Sequence, residues 1–159
     1  MQTYTWKRGD FTVTTDPSGI DLKKAAALIA RQDWCCKDRP LDLTVKAIQN
    51  SETFFCLAGE NREVVGFVRL ITDYATAAYV TDVNIAPEYK GRGLSKFIFS
   101  CIMEHPVFCK LRRMLLCTPD AHGLYAKYDF KPVAHPEEFM ERLIPYDEAY
   151  AHFEKNKNA

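Results

Sequence analysis

The sequence lacks a net charge. Its 21 lysine and arginine residues balance its 21 aspartate and glutamate residues, so the formal charge at pH 7 is zero. Proteins that bind nucleic acid or anionic membranes through a general field carry an excess of positive charge. The balance therefore argues against nucleic acid as a partner, and it requires that any anionic ligand be met by a local group of basic residues.

Long hydrophobic runs are also missing. No segment approaches the roughly 18 consecutive apolar residues that a membrane-spanning helix needs. The first residues, MQTYTWKRGDFTVT, lack the basic stretch followed by an apolar run that marks a secretory signal. We therefore expect a cytoplasmic protein with no membrane partner.

Disulfide and metal-ligand spacings are absent as well. The six cysteines include no C-x-x-C pair, and the four histidines do not fall at ligand spacing. Because structural zinc sites use closely spaced Cys and His ligands, the sequence predicts reduced thiols and no metal centre.

The residues that are present are typical of one globular domain. The chain has 159 residues and a mass of 18.2 kDa, with 47% hydrophobic and 26% charged residues. A chain of this length buries about two thirds of its unfolded surface around a single core. We expect one domain over residues 1–159, with its core at about 11–144 and a C-terminal helix at 146–155.

Alternating apolar residues predict the strands. Phe11 and Val13 predict the first strand, and the stretch from 53 to 85 has the pattern of an antiparallel meander. The strands predicted after the first are 53–58, 64–72, 77–85, 114–117, one at Val133 and one over 139–144.

Apolar residues at helical spacing predict the helices. Asp21 is a suitable N-cap for the first helix, and a second surrounds Leu43 and Ile48. A third begins at Leu94 and stops at His105-Pro106, and a short helix covers 121–128. The prediction is an α/β fold with a mixed, mostly antiparallel sheet and helices on its faces.

A glycine-containing loop, E-Y-K-G-R-G-L-S over 88–95, follows the strand that ends at Ile85. Glycines let the backbone approach a phosphate, and the N–H groups and dipole at a helix start favour negative charge. Lys90, Arg92 and Lys96 add local positive charge. The spacing matches neither of two familiar phosphate loops, G-x-x-x-x-G-K-[ST] and G-x-G-x-x-G. The loop alone indicates either a pyrophosphate site or an ordinary tight turn.

Two motifs in sequence resemble one known family. The first is V-N-I-A-P-E-Y-K-G-R-G-L-S-K-F-I over 83–98, and the second is A-H-G-L-Y-A-K-Y-D-F over 121–130. Together they resemble the GNAT superfamily of acyl-CoA-dependent N-acetyltransferases, and the order of elements extends the resemblance over about 11–144. The sequence departs from the family at Glu88, where Arg or Gln is usual, at Ser95, where Gly or Ala is common, and at Asp129, where Gly is usual.

The resemblance implies a fold, a cosubstrate and a reaction. Two neighbouring parallel strands of the sheet would splay apart and hold acetyl-CoA, with no metal. The acetyl group would pass directly to a primary amine, which we expect to belong to a small molecule, and a backbone N–H near Ile85 would polarise the thioester carbonyl. The cofactor-binding residues that the resemblance implies are Val83, Asn84, Ile85, Lys90, Gly91, Arg92, Gly93, Leu94, Ser95 and Thr118.

Two residues are candidates for catalysis. Tyr125 matches the family's tyrosine that protonates the leaving thiolate, and the alternative is a core aromatic residue. Asp82 lies on the central strand between apolar residues, where an unpaired carboxylate is costly to bury. It is a candidate general base, a holder of the substrate ammonium, or a structural acceptor for backbone N–H groups. His122 is a second candidate base, and a water chain could replace both.

The connector over 34–40 is expected to line the acceptor side, as the same region does in the family. Trp34 and Arg39 are the candidate substrate contacts there, with His122 nearby. Arg39 could clamp a substrate carboxylate or be a surface arginine. The rival hypothesis is a non-catalytic acyl-CoA-binding or regulatory module, and a homodimer stays open.

Overall fold

The computed structural model describes residues 2–31, 39–145 and 148–151. They form one six-stranded sheet whose strands follow each other in chain order. The strands are β1 (Thr5–Arg8), β2 (Phe11–Thr14), β3 (Glu52–Ala58), β4 (Glu63–Thr72), β5 (Ala77–Ile85) and β6 (Arg113–Leu115). Every neighbouring pair is antiparallel except β5 and β6, which are parallel. The predicted mixed, mostly antiparallel sheet is confirmed.

The helices are α1 (Leu22–Ala30), α2 (Leu41–Gln49), α3 (Leu94–Glu104) and α4 (His122–Tyr125). Asp21 caps α1 as predicted, since its Oδ1 accepts hydrogen bonds from the amides of Lys23 and Lys24 at 3.0 and 3.1 Å. α3 ends at Glu104, and its C-cap His105 is extended because Pro106 follows. None of the helices in the described residues has the length and apolar character that a membrane span requires.

Helices cover both faces of the sheet because the side chains of its strands alternate. On β3, Phe54 and Cys56 pack in the cluster that contains α3, whereas Phe55 and Leu57 pack in the cluster that contains α1 and α2. All four side chains are at most 1% exposed. The helices therefore hold the sheet from both sides and fix the position of the strand ends around the site.

The parallel pair opens into a cleft. β5 and β6 pair only from Ala77 with Arg113 to Tyr79 with Leu115. β5 then continues to Ile85, whereas β6 ends at Leu115. The two strands therefore part beyond Tyr79, which confirms the predicted splayed pair.

The structure differs from the sequence prediction at both ends of the sheet. β1 was not predicted, because its exposed residues lack a clear alternation. The predicted strand 114–117 is shorter and only partly buried. The predicted strands at Val133 and over 139–144 are wrong: residues 129–145 contain only a 3-10 turn, Pro136–Glu138. Apolar alternation produces a strand only where a neighbouring strand and a core face are available.

The C-terminal helix is described only in part. Residues 148–151 are helical, and the rest of the range predicted for that helix lies outside the described residues. The boundaries of the single domain stay a prediction.

Candidate active site

The cleft between the splayed strands is a cavity of about 650 Å³. Eight predicted site residues line it: Asp82, Val83, Asn84, Ile85, Lys90, Ser95, Thr118 and Tyr125. Arg31, Tyr79, Cys117 and Asp120 also line it, although no sequence motif indicated them. One cleft therefore joins the end of β5, the glycine loop and α4.

A bulge in β5 turns its end toward the cleft. On β4 the paired residues advance from Phe67 to Arg69, while their partners on β5 run from Asn84 to Thr81, so β5 carries one extra residue. Asp82 absorbs it with a left-handed backbone, at φ +49°. A bulge of this kind bends its strand and redirects the adjacent side chains. No sequence pattern indicates this bulge, because the residue at the left-handed position is an aspartate and not the glycine that usually marks one.

Gly66 on β4 allows β5 to approach closely next to this bulge. A Cβ atom at Gly66 would lie 2.5 Å from the carbonyl oxygen of Asn84 and 2.5 Å from Cδ1 of Ile85. Any larger residue would push the wall of the cleft away. The position of the Asn84 and Ile85 backbone therefore depends on a glycine that no motif identified.

The glycine loop has the geometry of an anion site. Gly91 and Gly93 both have left-handed backbones, at φ +78° and +70°, and a Cβ atom at either would contact no protein atom within 4 Å. No side chain caps the first turn of α3, whose N-cap is Gly93. Within the part of the chain that the structure describes, Lys90, Arg92 and Lys96 enter no ion pair. These features suit an incoming phosphate.

Arg8 on β1 braces this loop, although nothing in the sequence indicated it. Its guanidinium donates to the carbonyl oxygens of Arg92 and Gly93 at 3.4 and 3.2 Å. It also lies 4.5 Å from the ring centroid of Phe97 on α3. The carbonyl groups of the loop are thus held by β1, which leaves the amide side of the helix start for a ligand.

Glu88, the departure from the family pattern, makes an ion pair with Arg31 at the end of α1. Two parallel hydrogen bonds join them, at 3.2 Å and 2.8 Å. The Arg31 guanidinium holds the pKa of Glu88 below its ordinary value. About half of each side chain is exposed, so the pair contributes little to stability. It does place Arg31 on the wall of the cleft.

Asp82 lies in a buried network of charges. Its Oδ2 accepts hydrogen bonds from Nη2 of Arg39 and from Nε of Arg69, both at 2.8 Å. The side chains are 1%, 12% and 7% exposed, respectively. Arg39 also donates to Thr44 on α2, and Arg69 to Ser51. Two side-chain cations therefore bond the carboxylate, and Arg39 is not a surface arginine.

Tyr125 sits at the opposite wall of the cleft, on α4. Its ring packs edge-on against Phe99 and Phe130, with centroids 5.2 and 6.1 Å away. Burial, and to a lesser extent the charge of Asp120, raises the pKa of its hydroxyl above the ordinary value. The residue is therefore both a packed aromatic and part of the cleft wall.

The remaining predicted residues differ in whether they line the cleft. Thr118 lines the cleft, and its hydroxyl accepts a hydrogen bond from the amide of Ala121, which helps to start α4. His122 is exposed and does not line the cleft. Trp34 lies outside the described residues. Asp129 takes a left-handed backbone, at φ +63°, which aspartate adopts more readily than most residues other than glycine.

The fold and the cleft together are typical of one class of protein. Its single sheet opens between two parallel strands, and the start of a helix suited to a pyrophosphate lies at the opening. The acetyltransferase (GNAT) family model matches residues 11–130. The chain therefore belongs to the GNAT acetyltransferase family.

Similar proteins agree with this assignment. The chain is 32% identical over 140 residues to "Putative acetyltransferase FG08082" of Gibberella zeae, covering 77% of this chain and 79% of that protein. A crystal structure of a GNAT-family protein from Xanthomonas campestris pv. campestris is 43% identical, with a TM-score of 0.77, covering 85% of this chain and 94% of that one.

The fold also occurs in a more distant protein with its cosubstrate. A GNAT family acetyltransferase from Elizabethkingia anophelis with acetyl-CoA bound has a TM-score of 0.56 and 13% identity. The alignment covers 87% of this chain and 91% of that one. At this identity the likeness extends to the fold.

Proposed function

We propose that this protein is an N-acetyltransferase that moves the acetyl group of acetyl-CoA directly to the primary amine of a small molecule. The observation that carries the proposal is that one cleft is lined both by the start of α3, which no side chain caps, and by the Tyr125 side chain. A phosphate site at one end would hold acetyl-CoA, and a proton donor on the wall would serve the thiolate that leaves.

The residues at the loop would hold the cosubstrate. Lys90 and Ser95 line the cleft where β5 meets α3, and the amides at the start of α3 would donate to the pyrophosphate. Val83, Asn84 and Ile85 would run beside the pantetheine arm, because the bulge turns them toward the cleft. When bound, acetyl-CoA supplies an activated thioester.

Tyr125 is the proposed proton donor for the thiolate that leaves. Its pKa is raised above the ordinary value of about 10, so the hydroxyl stays protonated throughout the neutral range. A free thiol has a pKa of about 8.5, so full transfer of the proton from tyrosine is uphill. The residue therefore acts best as a hydrogen-bond donor while negative charge develops on sulfur.

Asp82 supports the site by one of two routes. It is either the general base for the substrate ammonium or the anchor that keeps the bulge of β5 in place. Two guanidinium groups already bond its Oδ2, which favours the anchoring role. Water in the cleft would then accept the proton of the amine.

The test is acetyl transfer to a panel of small amines, with matched alcohols as controls. The purified protein is mixed with acetyl-CoA, and free thiol release is followed while mass spectrometry identifies the acetylated product. We expect thiol release that depends on an amine and an amide product. Ester products would contradict N-acetylation, and acetyl-CoA binding without turnover on any acceptor would support the non-catalytic module instead.

A further inference from the structure

The charged side chains of the cleft differ in whether the fold already engages them. Among the described residues, those that line the cleft are Arg31, Asp82, Lys90 and Asp120. Arg31 and Asp82 already have ion-pair partners. Lys90 and Asp120 enter no ion pair with any described residue. Lys90 suits the pyrophosphate of the cosubstrate, so Asp120 is the carboxylate left for the acceptor and its chemistry.

The turn that carries Asp120 is built without its carboxylate. The hydroxyl of Thr118 accepts a hydrogen bond from the amide of Ala121 at 3.0 Å, which closes the turn before α4. Ala121 is the N-cap of α4, and no side chain caps this helix. The carboxylate of Asp120 is exposed and is not a cap. A substitution that removes its charge should therefore leave the fold intact.

Asp120 also lies close enough to the proposed proton donor to act on it. Burial raises the pKa of Tyr125, and the charge of Asp120 adds to the rise. Both residues line the same cleft, Tyr125 on α4 and Asp120 in the turn that precedes it. The cleft therefore presents an anionic group and a hydroxyl donor side by side on one wall.

Acetyl transfer to an amine needs a proton acceptor as well as a proton donor. The attacking nitrogen loses a proton as its bond to the acetyl carbon forms, and the sulfur gains one as its bond to that carbon breaks. A tyrosine that supplies the second proton is left as a phenolate, and it has to be protonated again before the next turnover. Carboxylic acids have an ordinary pKa of about 4 and tyrosine of about 10, so a proton passes downhill from a carboxyl group to a phenolate.

We propose that Asp120 is the general base of the reaction: its carboxylate accepts the proton of the attacking nitrogen and returns it to Tyr125. Water in the cleft can relay the proton to Asp120. The C–N bond forms, the C–S bond breaks, Tyr125 protonates the thiolate, and the proton on Asp120 restores the Tyr125 hydroxyl. One neutral amine and one thioester become one amide and one thiol, and both side chains return to their starting states. Asp120 has this role only if the acceptor is an amine, so its assignment rests on the proposed function.

Steady-state kinetics of Asp120→Asn test the assignment, with the best amine of the panel as acceptor. The variant keeps the size of the side chain and removes the base, so kcat should fall about 100-fold. Calorimetry should find that acetyl-CoA binds no more weakly than to the parent. The matched control is Asp129→Asn, at an exposed aspartate that does not line the cleft, and asparagine tolerates its left-handed backbone. The control should keep the kcat of the parent.

Chemical rescue distinguishes a base from a residue that only shapes the cleft. Asp120→Ala removes the carboxylate, and formate supplies a small carboxylate that can take its place. Formate should raise the turnover of this variant in a saturable way, by at least about tenfold, whereas chloride at the same ionic strength should not. Formate should not rescue Tyr125→Phe, which lacks the donor and keeps the base.

The double variant, Asp120→Asn with Tyr125→Phe, tests whether the proton returns to the tyrosine. Because both residues serve one circuit, the double variant should lose little more kcat than either single variant. Losses that multiply, no rescue by formate, or a folded Asp120→Asn protein that turns over like the parent would overturn the role of Asp120 and leave the proposed function standing. A parent protein that acetylates no amine would overturn both.

Discussion

One group of basic residues surrounds Asp82 and another belongs to the glycine loop, and their surroundings differ. Asp82 and Lys90 both line the cleft. Arg39 and Arg69 are buried, and both bond the carboxylate of Asp82 at 2.8 Å. Lys90 and Arg92 on the glycine loop and Lys96 in the first turn of α3 are exposed, and the described residues provide them with no carboxylate partner. The first group therefore stabilises the fold of the cleft, and the second can bind an anionic ligand. Charge at a cleft predicts binding only when the protein has not already neutralised it.

Loss of Asp82 should have the largest effect on stability, because it removes the shared partner of the buried basic group and leaves the exposed basic group intact. Asp82→Ala leaves two buried guanidinium groups without their shared partner, and we expect the free energy of unfolding to fall by about 3–5 kcal/mol. Denaturant unfolding of the variant and the parent measures it. Glu88→Ala is the control, since it removes a half-exposed partner and should change stability little. A stable Asp82→Ala protein that had lost only its turnover would instead identify Asp82 as the general base.

Tyr125→Phe tests whether the hydroxyl of Tyr125 donates a proton to the thiolate that leaves. The change keeps the ring that packs on Phe99 and Phe130, so the fold and the affinity for acetyl-CoA should survive. We expect kcat to fall about 100-fold, or about 2.7 kcal/mol, at the lower end of what a proton donor contributes. Steady-state kinetics with the best amine of the panel would measure it. Unchanged turnover would reduce Tyr125 to a packing residue.

The pH dependence of the parent follows from the same residue. Tyrosine has an ordinary pKa of about 10, and the pKa of Tyr125 is raised above it. The hydroxyl of Tyr125 therefore stays mainly protonated as the pH rises toward 10. We therefore expect no decline in kcat from Tyr125 between pH 7 and about 9.5. A descending limb in this range that disappears in Tyr125→Phe would contradict the account.

Gly91→Val should weaken acetyl-CoA binding at the loop, by at least about tenfold or 1.4 kcal/mol. A β-branched residue at φ +78° strains the backbone, and its side chain occupies space that is open in the protein. Gly59→Val is a matched control, because Gly59 has φ +63° and no atom within 4 Å of its Cβ position, but lies in the turn between β3 and β4. Calorimetry should find normal affinity in the control. Equal affinity in both variants would remove the loop from the site.

The smallest effect is expected at His105, which is buried away from both groups, among Tyr4, Trp6, Phe54 and Phe108. Burial lowers its pKa below the unfolded value of about 6.5, so the unfolded chain binds the extra proton. Stability from this residue is complete above pH 6.5 and is lost as the pH falls below it. Thermal unfolding of His105→Phe should therefore depend less on pH between 7 and 5 than that of the parent. Parallel curves would contradict this.

The sequence was sufficient where one local pattern controls structure. The cap at Asp21 and the helix from Leu94 depend on a few adjacent residues, and each was predicted. Contacts between distant residues could not be predicted in this way. The network of Asp82 joins residues 39 and 69, and Arg8 reaches the loop across more than 80 positions.

The wrong strands at the C-terminal end have a related cause. Phe139 to Ile144 have the composition of a strand, but strand formation needs a partner edge, and no described residue pairs with them. Periodicity reports which side chains could share a face. It does not report whether a neighbouring strand exists.

The central claim is that the cleft between β5 and β6 holds acetyl-CoA, and amide hydrogen exchange with and without acetyl-CoA tests it most directly. The account predicts saturable protection at residues 83–85 and 91–95, with little change in β1 and β2, and loss of the protection at 91–95 in Gly91→Val. Saturable binding that protects other parts of the chain and leaves these two stretches unchanged would contradict it.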